Sequence, residues 1–298
     1  MTTPPAISFE GVTKHYRGGG GVTGLTFDVS PGEVFGLLGP NGAGKSTAIR
    51  LLVDLIRPVA GTISVFGRDL AHHSVEVRQC LGYLPGDFAT NSKATGGEVL
   101  STLGRLKGLR AEAWTPLAAS LRADLHRPMG ALSKGGRQKI GLISALMGDP
   151  PLLVLDEPTT GLDPLVQQRV HREIRRAAEQ GRTVLLSSHV LAEVGEMADR
   201  IGFIRDGVLA GTQPVDAVQD GQVHLVTFST TSPVDHEALA ALAHLNVVHT
   251  TNQSFNLEIR GSLNGLVQLL STYDLSDFSC REPTLEERFL SFYDDEAP

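Results

Sequence analysis

Cysteine is scarce in this sequence: 298 residues contain two, Cys80 and Cys280, with no CxxC pairing. That argues against a disulfide framework or a cysteine zinc site and leaves two reduced, buried thiols as the expectation. No run approaches eighteen consecutive apolar residues, so no segment reads as a helix that spans a bilayer. The start, MTTPPAISFE, lacks a basic stretch followed by an apolar one and does not read as a secretory leader. Positive charge is also short: 26 Lys and Arg face 33 Asp and Glu, a net charge of −7. A general basic face for nucleic acid is therefore not expected, and no nucleic-acid partner is expected. There is no internal repeat and no low-complexity tract. These absences together describe a cytosolic protein.

What is present is enough apolar material for a core, 41% of residues, and a length that fits one large domain plus a small one, or two medium ones. Ala6–Phe9 and Gly24–Val29 read as strands about the glycine-rich turn that begins at Arg17, and Glu33–Leu38 as a buried strand. A helix over Ala48–Ile56 is stopped by Pro58 and Gly61, and Thr62–Val65 and Cys80–Leu84 are further strands. From about residue 87 to 150 the pattern turns helical. Thr95 and Glu98 form a capping box ahead of Val99–Leu106, and Trp114–Leu125 and Arg137–Met147 follow as helices. Leu152–Leu155 and Thr183–Ser187 are buried strands around a helix opened by Asp163-Pro164, which implies a parallel sheet. Ile201–Arg205 and Val208–Leu209 make a hairpin about Asp206-Gly207.

The pattern changes again after Asp220. Strand Val223–Ser229, helix Asp235–Leu245, a hairpin of Val247–Thr251 and Phe255–Ile259, helix Leu263–Tyr273 and strand Phe278–Arg281 give a β-α-β-β-α-β order, that of ferredoxin-like domains. A last helix is opened by the capping box Thr284 and Glu287. The expected division is 1–219 and 220–298.

Residues 39–46, Gly39-Pro40-Asn41-Gly42-Ala43-Gly44-Lys45-Ser46, match G-x-x-x-x-G-K-[ST] between a strand and a helix. Polyphosphate can be approached closely by backbone N–H groups only where side chains are absent, which Gly42 and Gly44 allow, and the next helix adds its positive end. Lys45 supplies a point charge for the β- and γ-phosphates, Ser46 a hydroxyl for Mg²⁺, and Thr47 a further phosphate contact. The ligand is therefore ATP with Mg²⁺. Leu152–Glu157 is an apolar strand ending in two adjacent acids, which a buried strand would not carry without a ligand to meet. Asp156 is assigned to the metal shell and Glu157 to polarising the attacking water as general base. His189, after the strand TVLLSS, either bonds the γ-phosphate or orients Glu157. Tyr16 is either a platform for adenine or a partly exposed packing residue.

These motifs, with Leu132-Ser133-Lys134-Gly135-Gly136-Arg137-Gln138, resemble the ATP-binding subunit of ABC transporters across Ser8 to Gly211. They stand in family order: A-loop Tyr16, Walker A Gly39–Thr47, signature Leu132–Gly136, Walker B Leu152–Glu157, D-loop Gly161-Leu162-Asp163, switch His189. The resemblance implies an α/β P-loop ATPase cassette with a mixed sheet, an inserted helical subdomain and an α+β accessory domain. It implies two such subunits paired head to tail, as a homodimer or with a second ATP-binding subunit. Ser133, Gly135 and Gly136 would contact the nucleotide held by the partner. A separate multi-span permease would hold the pair at the cytoplasmic side of the membrane.

Two positions depart from the family pattern. Lys134 stands third in the signature, where a cation near a helix N-terminus costs about 0.3–1 kcal/mol. It either adds charge at the partner's phosphate or points to solvent. Gly86, after Tyr83-Leu84-Pro85, stands where the family has the Q-loop glutamine, with Asp87 beside it. The YLPG phrase, the basic signature and the ending Pro283–Leu290 are similar to bacterial drug and antibiotic exporters, which implies a hydrophobic cargo; the family resemblance implies a coupling surface around Leu84–Lys93 and the helical insert. Two other readings remain: a non-transport ABC ATPase with soluble partners, and an importer ATPase gated by its C-terminal domain.

Overall fold

The computed structural model describes residues 4–88, 93–110, 113–215, 223–232, 234–235, 238–239, 245–250 and 254–282. The chain divides into two compact units, Met1–Val215 and Asp216–Pro298.

The first unit holds two sheets. β1 (Ile7–His15) and β2 (Gly21–Val29) pair antiparallel, and β4 (Ala60–Val65) and the short β5 (Arg68–Asp69) extend them in the order β2-β1-β4-β5. The second sheet runs β10-β9-β3-β8-β7-β6. Its members are β3 (Val34–Leu38), β6 (Leu81–Leu84), β7 (Leu152–Asp156), β8 (Thr183–Ser188), β9 (Arg200–Arg205) and β10 (Val208–Pro214). All neighbours are parallel except the β9–β10 hairpin. Every residue of β3, β7 and β8 is buried, as expected of parallel strands covered on both faces. The two sheets share a core: Phe9 stacks on Phe27 at 4.6 Å, and Phe27 on Phe35 at 5.3 Å.

Among the described residues, seven α-helices connect these strands: α1 (Lys45–Leu52), α2 (Ser74–Gln79), α3 (Gly96–Leu106), α4 (Thr115–Ser120), α5 (Lys134–Leu146), α6 (Pro164–Glu179) and α7 (Leu191–Met197). The capping box at α3 is formed, with the Thr95 N–H donating to Glu98 Oε2 at 2.8 Å and the Glu98 N–H to Thr95 Oγ1 at 3.2 Å. Three helices differ from expectation for local reasons. α1 stops at Leu52, and Asp54 turns left-handed at φ 56°. α4 is cut short before Arg122, at φ 49°. α5 begins before Arg137, because Ser133 caps it by accepting the Gly136 N–H at 3.1 Å.

The expectation of two buried thiols is corrected. Cys80 is half-buried at the end of α2, with the Arg68 guanidinium 4.0 Å from its sulfur, and Cys280 is exposed on a sheet-edge strand.

In the second unit, β11 (Val223–Thr230), β12 (Leu245–Thr250), β13 (Ser254–Arg260) and β14 (Leu275–Arg281) form an antiparallel sheet in the order β12-β13-β11-β14, with α8 (Asn264–Leu270) between the last two strands. This interleaved order is that of a split β-α-β unit. Its core centres on Phe228 stacked on Phe255 at 4.8 Å, joined by Val226, Leu257 and Leu266. The Leu239 N–H donates to the Asp235 carbonyl at 3.1 Å, and Leu245 belongs to β12 instead of the expected helix, most of whose residues lie outside the described ones. The turn at 251–253 and the helix expected from Thr284 lie outside the described residues.

Candidate active site

The phosphate loop runs from the end of β3 into α1, whose first turn carries Ser46, half-buried, and Thr47, buried. Gly44 caps the helix at φ 110°, in the left-handed region, with no side-chain cap. A Cβ there would lie 2.8 Å from the Gly21 carbonyl oxygen and from Val22 Cγ1, so glycine is required by both backbone and space. The same loop is braced by the Asp206-Gly207 turn: the Gly207 N–H donates to the Ala43 carbonyl at 2.9 Å, and the Thr23 N–H to the Gly207 carbonyl at 2.8 Å. Pro40, Asn41 and Gly42 stay exposed. Tyr16, 38% exposed, sits in the turn between β1 and β2, and the Gly21–Gly44 contact sets that turn beside the loop.

Lys45 is only 5% exposed. Its Nζ donates to the carbonyls of Gly39 at 2.7 Å and Pro40 at 3.1 Å, and stands 3.7 Å from Glu157 Oε1. Burial pushes the ammonium below the ordinary lysine range, and the charges of Glu157 and Asp156 oppose that shift.

β7 ends in Asp156, 3% exposed, whose Oδ1 accepts the Ser187 hydroxyl from β8 at 2.6 Å. Glu157 follows at φ 51°, a conformation uncommon for a residue with a Cβ. Its backbone is pinned at both ends: its N–H donates to Ser187 Oγ at 3.0 Å, and its carbonyl accepts Gln138 Nε2 from α5 at 3.0 Å. Its carboxylate Oε2 accepts the Thr160 hydroxyl at 2.9 Å and lies 2.7 Å from His189 Nδ1. A carboxylate only accepts, so this contact assigns the proton to Nδ1. Strained backbone held by its surroundings is a mark of functional sites. Ser187, Thr160 and Gln138 escape a sequence reading, because only the fold brings them to Glu157.

Gln138 is buried and also stands 3.4 Å from the Pro158 carbonyl. Gln138→Leu should keep the volume but strand those carbonyls, costing about 1–3 kcal/mol. A chemical-melt midpoint followed by tryptophan fluorescence measures it; an unchanged midpoint would show that the contact contributes nothing.

Gly86, at the Q-loop position, packs on Asp156: a Cβ there would be 3.2 Å from its Oδ2. Asp87 is exposed beside it, and residues 89–92 of the expected coupling surface lie outside the described residues. The available donors, the Ser46 hydroxyl and the Asp156 carboxylate, are hard oxygens, the kind that Mg²⁺ takes together with water and phosphate.

Ser133, Gly135 and Gly136 lie elsewhere, at the N-terminus of α5. They line a cavity of about 370 Å³ with Gly161, Leu162 and Asp163, and no phosphate-loop residue lines it. Asp163 caps α6 by accepting the Val166 N–H at 3.1 Å. The structure thus gathers Lys45, Asp156, Glu157 and His189 in one place, and Ser133, Gly135, Gly136 and Asp163 in another. Lys134 is exposed, and its stem lies over Gly161.

Residues 22–160 match the family described as ABC transporter. Over 311 residues the chain is 34% identical to the daunorubicin/doxorubicin resistance ATP-binding protein DrrA of Streptomyces peucetius, which covers 98% of this chain and 94% of that protein. Over 213 residues it is 38% identical to the Nod factor export ATP-binding protein I of Burkholderia pseudomallei (strain 1710b), covering 70% of each. Among solved structures, the dimeric structure of a post-hydrolysis state of the ATP-binding cassette MJ0796 bound to ADP and Pi matches with a TM-score of 0.65 over 70% of this chain and 98% of that one. At 20% identity that likeness shows the fold alone.

Proposed function

The chain belongs to the ABC transporter family as an ATP-hydrolysing subunit, and from that premise we propose that it powers a membrane exporter of hydrophobic cargo by closing a head-to-tail dimer around ATP. The observation that carries this reading is the separation of two incomplete half-sites on one chain: a phosphate loop with its acids, and a signature cavity that no phosphate-loop residue lines. A second copy supplies what each half lacks. The resistance and export roles in the relatives' names support the exporter assignment.

Within one half-site, Gly39–Thr47 hold the phosphate chain and Tyr16 offers its ring to the base. The Ser46 hydroxyl and the Asp156 carboxylate would hold Mg²⁺, which when bound offsets phosphate charge. Glu157 takes a proton from the attacking water as its oxygen bonds the γ-phosphorus and the bridge to ADP breaks. His189 orients Glu157 through Nδ1–H. Serving a phosphate oxygen at the same time requires a proton on Nε2 as well, so His189 bridges the two groups only as an imidazolium. Lys45 leaves the Gly39 and Pro40 carbonyls for phosphate when the nucleotide arrives.

Gly86 brings no side chain to the Mg²⁺ shell, and Asp87 is the polar group at hand. The C-terminal domain is assigned an accessory scaffold role. No helix among the described residues is long and apolar enough to cross a membrane. Membership of the ABC transporter family is what supports docking on a separate permease from the cytoplasmic side.

The test is recovery of tagged chain from gently solubilised native membranes, followed by mass spectrometry. A multi-span protein in near-stoichiometric amount is expected. Recovery with soluble partners alone would overturn the exporter assignment and leave the ATPase standing.

A further inference from the structure

The signature cavity has a wall that the family motif does not account for. Arg122, Arg127 and Lys139 line it with Ser133 and Gly135. None of these three side chains has a hydrogen-bond or ion-pair partner among the described residues. Two carboxylates face them, and both have backbone partners: Asp124 accepts the N–H groups of His126 and Arg127 at 3.0 and 3.2 Å, and Asp163 accepts that of Val166. Three cations against two carboxylates, beside the positive end of a thirteen-residue helix, make a concave surface with excess positive charge. Arg122 is moreover held at φ 49°, a backbone conformation unfavourable for a side chain with a Cβ. Gly136 adds no side chain to read a ligand, and Lys134, the cation that stands out in the sequence, rests on Gly161 and is not part of the lining.

We propose that Arg122, Arg127 and Lys139 are binding residues for the phosphate chain of a nucleoside triphosphate carried by a second copy of this chain, an inference that rests on the shared-site reading above. The guanidinium forks suit the paired oxygens of phosphate, and the ammonium adds a point charge. The bland alternative is three solvated surface cations, and the two make different predictions. Solvated cations leave dimer formation unchanged when removed. Cations that meet the partner's phosphates act only when two chains close, so their loss weakens closure and leaves nucleotide binding by the single chain intact.

The experiment uses the full chain carrying Glu157→Gln, which keeps ATP uncleaved, with and without R122A/R127A/K139A. Dimer formation is followed by sedimentation across an ATP–Mg²⁺ series, and binding to the dilute single chain by a fluorescent ATP analogue. Charge-assisted contacts of this kind predict that the ATP concentration for half-dimerisation rises at least about tenfold. Single-chain affinity should stay within about twofold, and the salt dependence of closure should flatten. R122K/R127K, which keeps the charge, should recover part of the loss. An unchanged half-dimerisation concentration, or an equal weakening of single-chain binding, would overturn the inference and leave the shared site standing. Failure of Glu157→Gln alone to dimerise with ATP would overturn both.

Discussion

Glu157→Gln should lower steady-state phosphate release by about two to four orders of magnitude, the range of a lost general base, while ATP binding persists. Glutamine keeps the shape and one accepting oxygen, so the contacts to Thr160 and His189 can be retained. It cannot take a proton from water. It also removes the negative partner 3.7 Å from Lys45, which frees the ammonium for phosphate. Affinity for ATP should therefore hold or rise. Two measurements separate these effects: phosphate release at saturating ATP, and equilibrium binding at low protein concentration. Turnover within tenfold of the parent would remove Glu157 from the role of general base. Weakened binding would mean that its ion pair with Lys45 supports the loop more than it restrains it.

Gly44→Ala should fail one step earlier, at binding. The added Cβ meets the Gly21 carbonyl and Val22 at 2.8 Å in a backbone at φ 110°. Left-handed strain costs about 1–3 kcal/mol, and crowding in a packed site about 1–3 kcal/mol more. If the loop relaxes by giving up its phosphate-binding shape, the sum of about 2–6 kcal/mol corresponds to a loss of affinity between about thirtyfold and twenty-thousandfold. Calorimetric titration with ATP measures it directly. Near-normal affinity would mean that β2 can retreat, and that the contact between β2 and the loop is not part of the binding shape.

The part of this site that lies contiguously along the chain was legible in advance. Gly39–Thr47 carry their chemistry in adjacent residues, and β3, β7 and β8 are apolar runs that only a doubly covered sheet accommodates. The Asp163-Pro164 start of α6 and the Thr95–Glu98 box are local signals that the fold leaves in place. What escaped is what the fold assembles. Ser187 reads as the polar end of a strand until β8 lies beside β7 and its hydroxyl meets Asp156. The Asp206-Gly207 turn announces a hairpin, but nothing in two turn residues says that they brace a phosphate loop from across the sheet. Helices α2 and α7 have six and seven residues, too few turns for a period to show. Cysteine's general preference for burial gives way where one thiol sits at a helix end and the other on a sheet edge.

Gln138 hangs from the helix that begins at Ser133 and holds the carbonyl of Glu157. In the proposed head-to-tail pair, that helix would face the nucleotide of one chamber while Glu157 would act on the nucleotide of the other. The amide would then be a drive shaft between two engines, passing a shift of the helix to the backbone of the opposite acid instead of letting slack absorb it. The two chambers of such a machine would keep time with each other, and a single loosened side chain at position 138 would let them drift out of step.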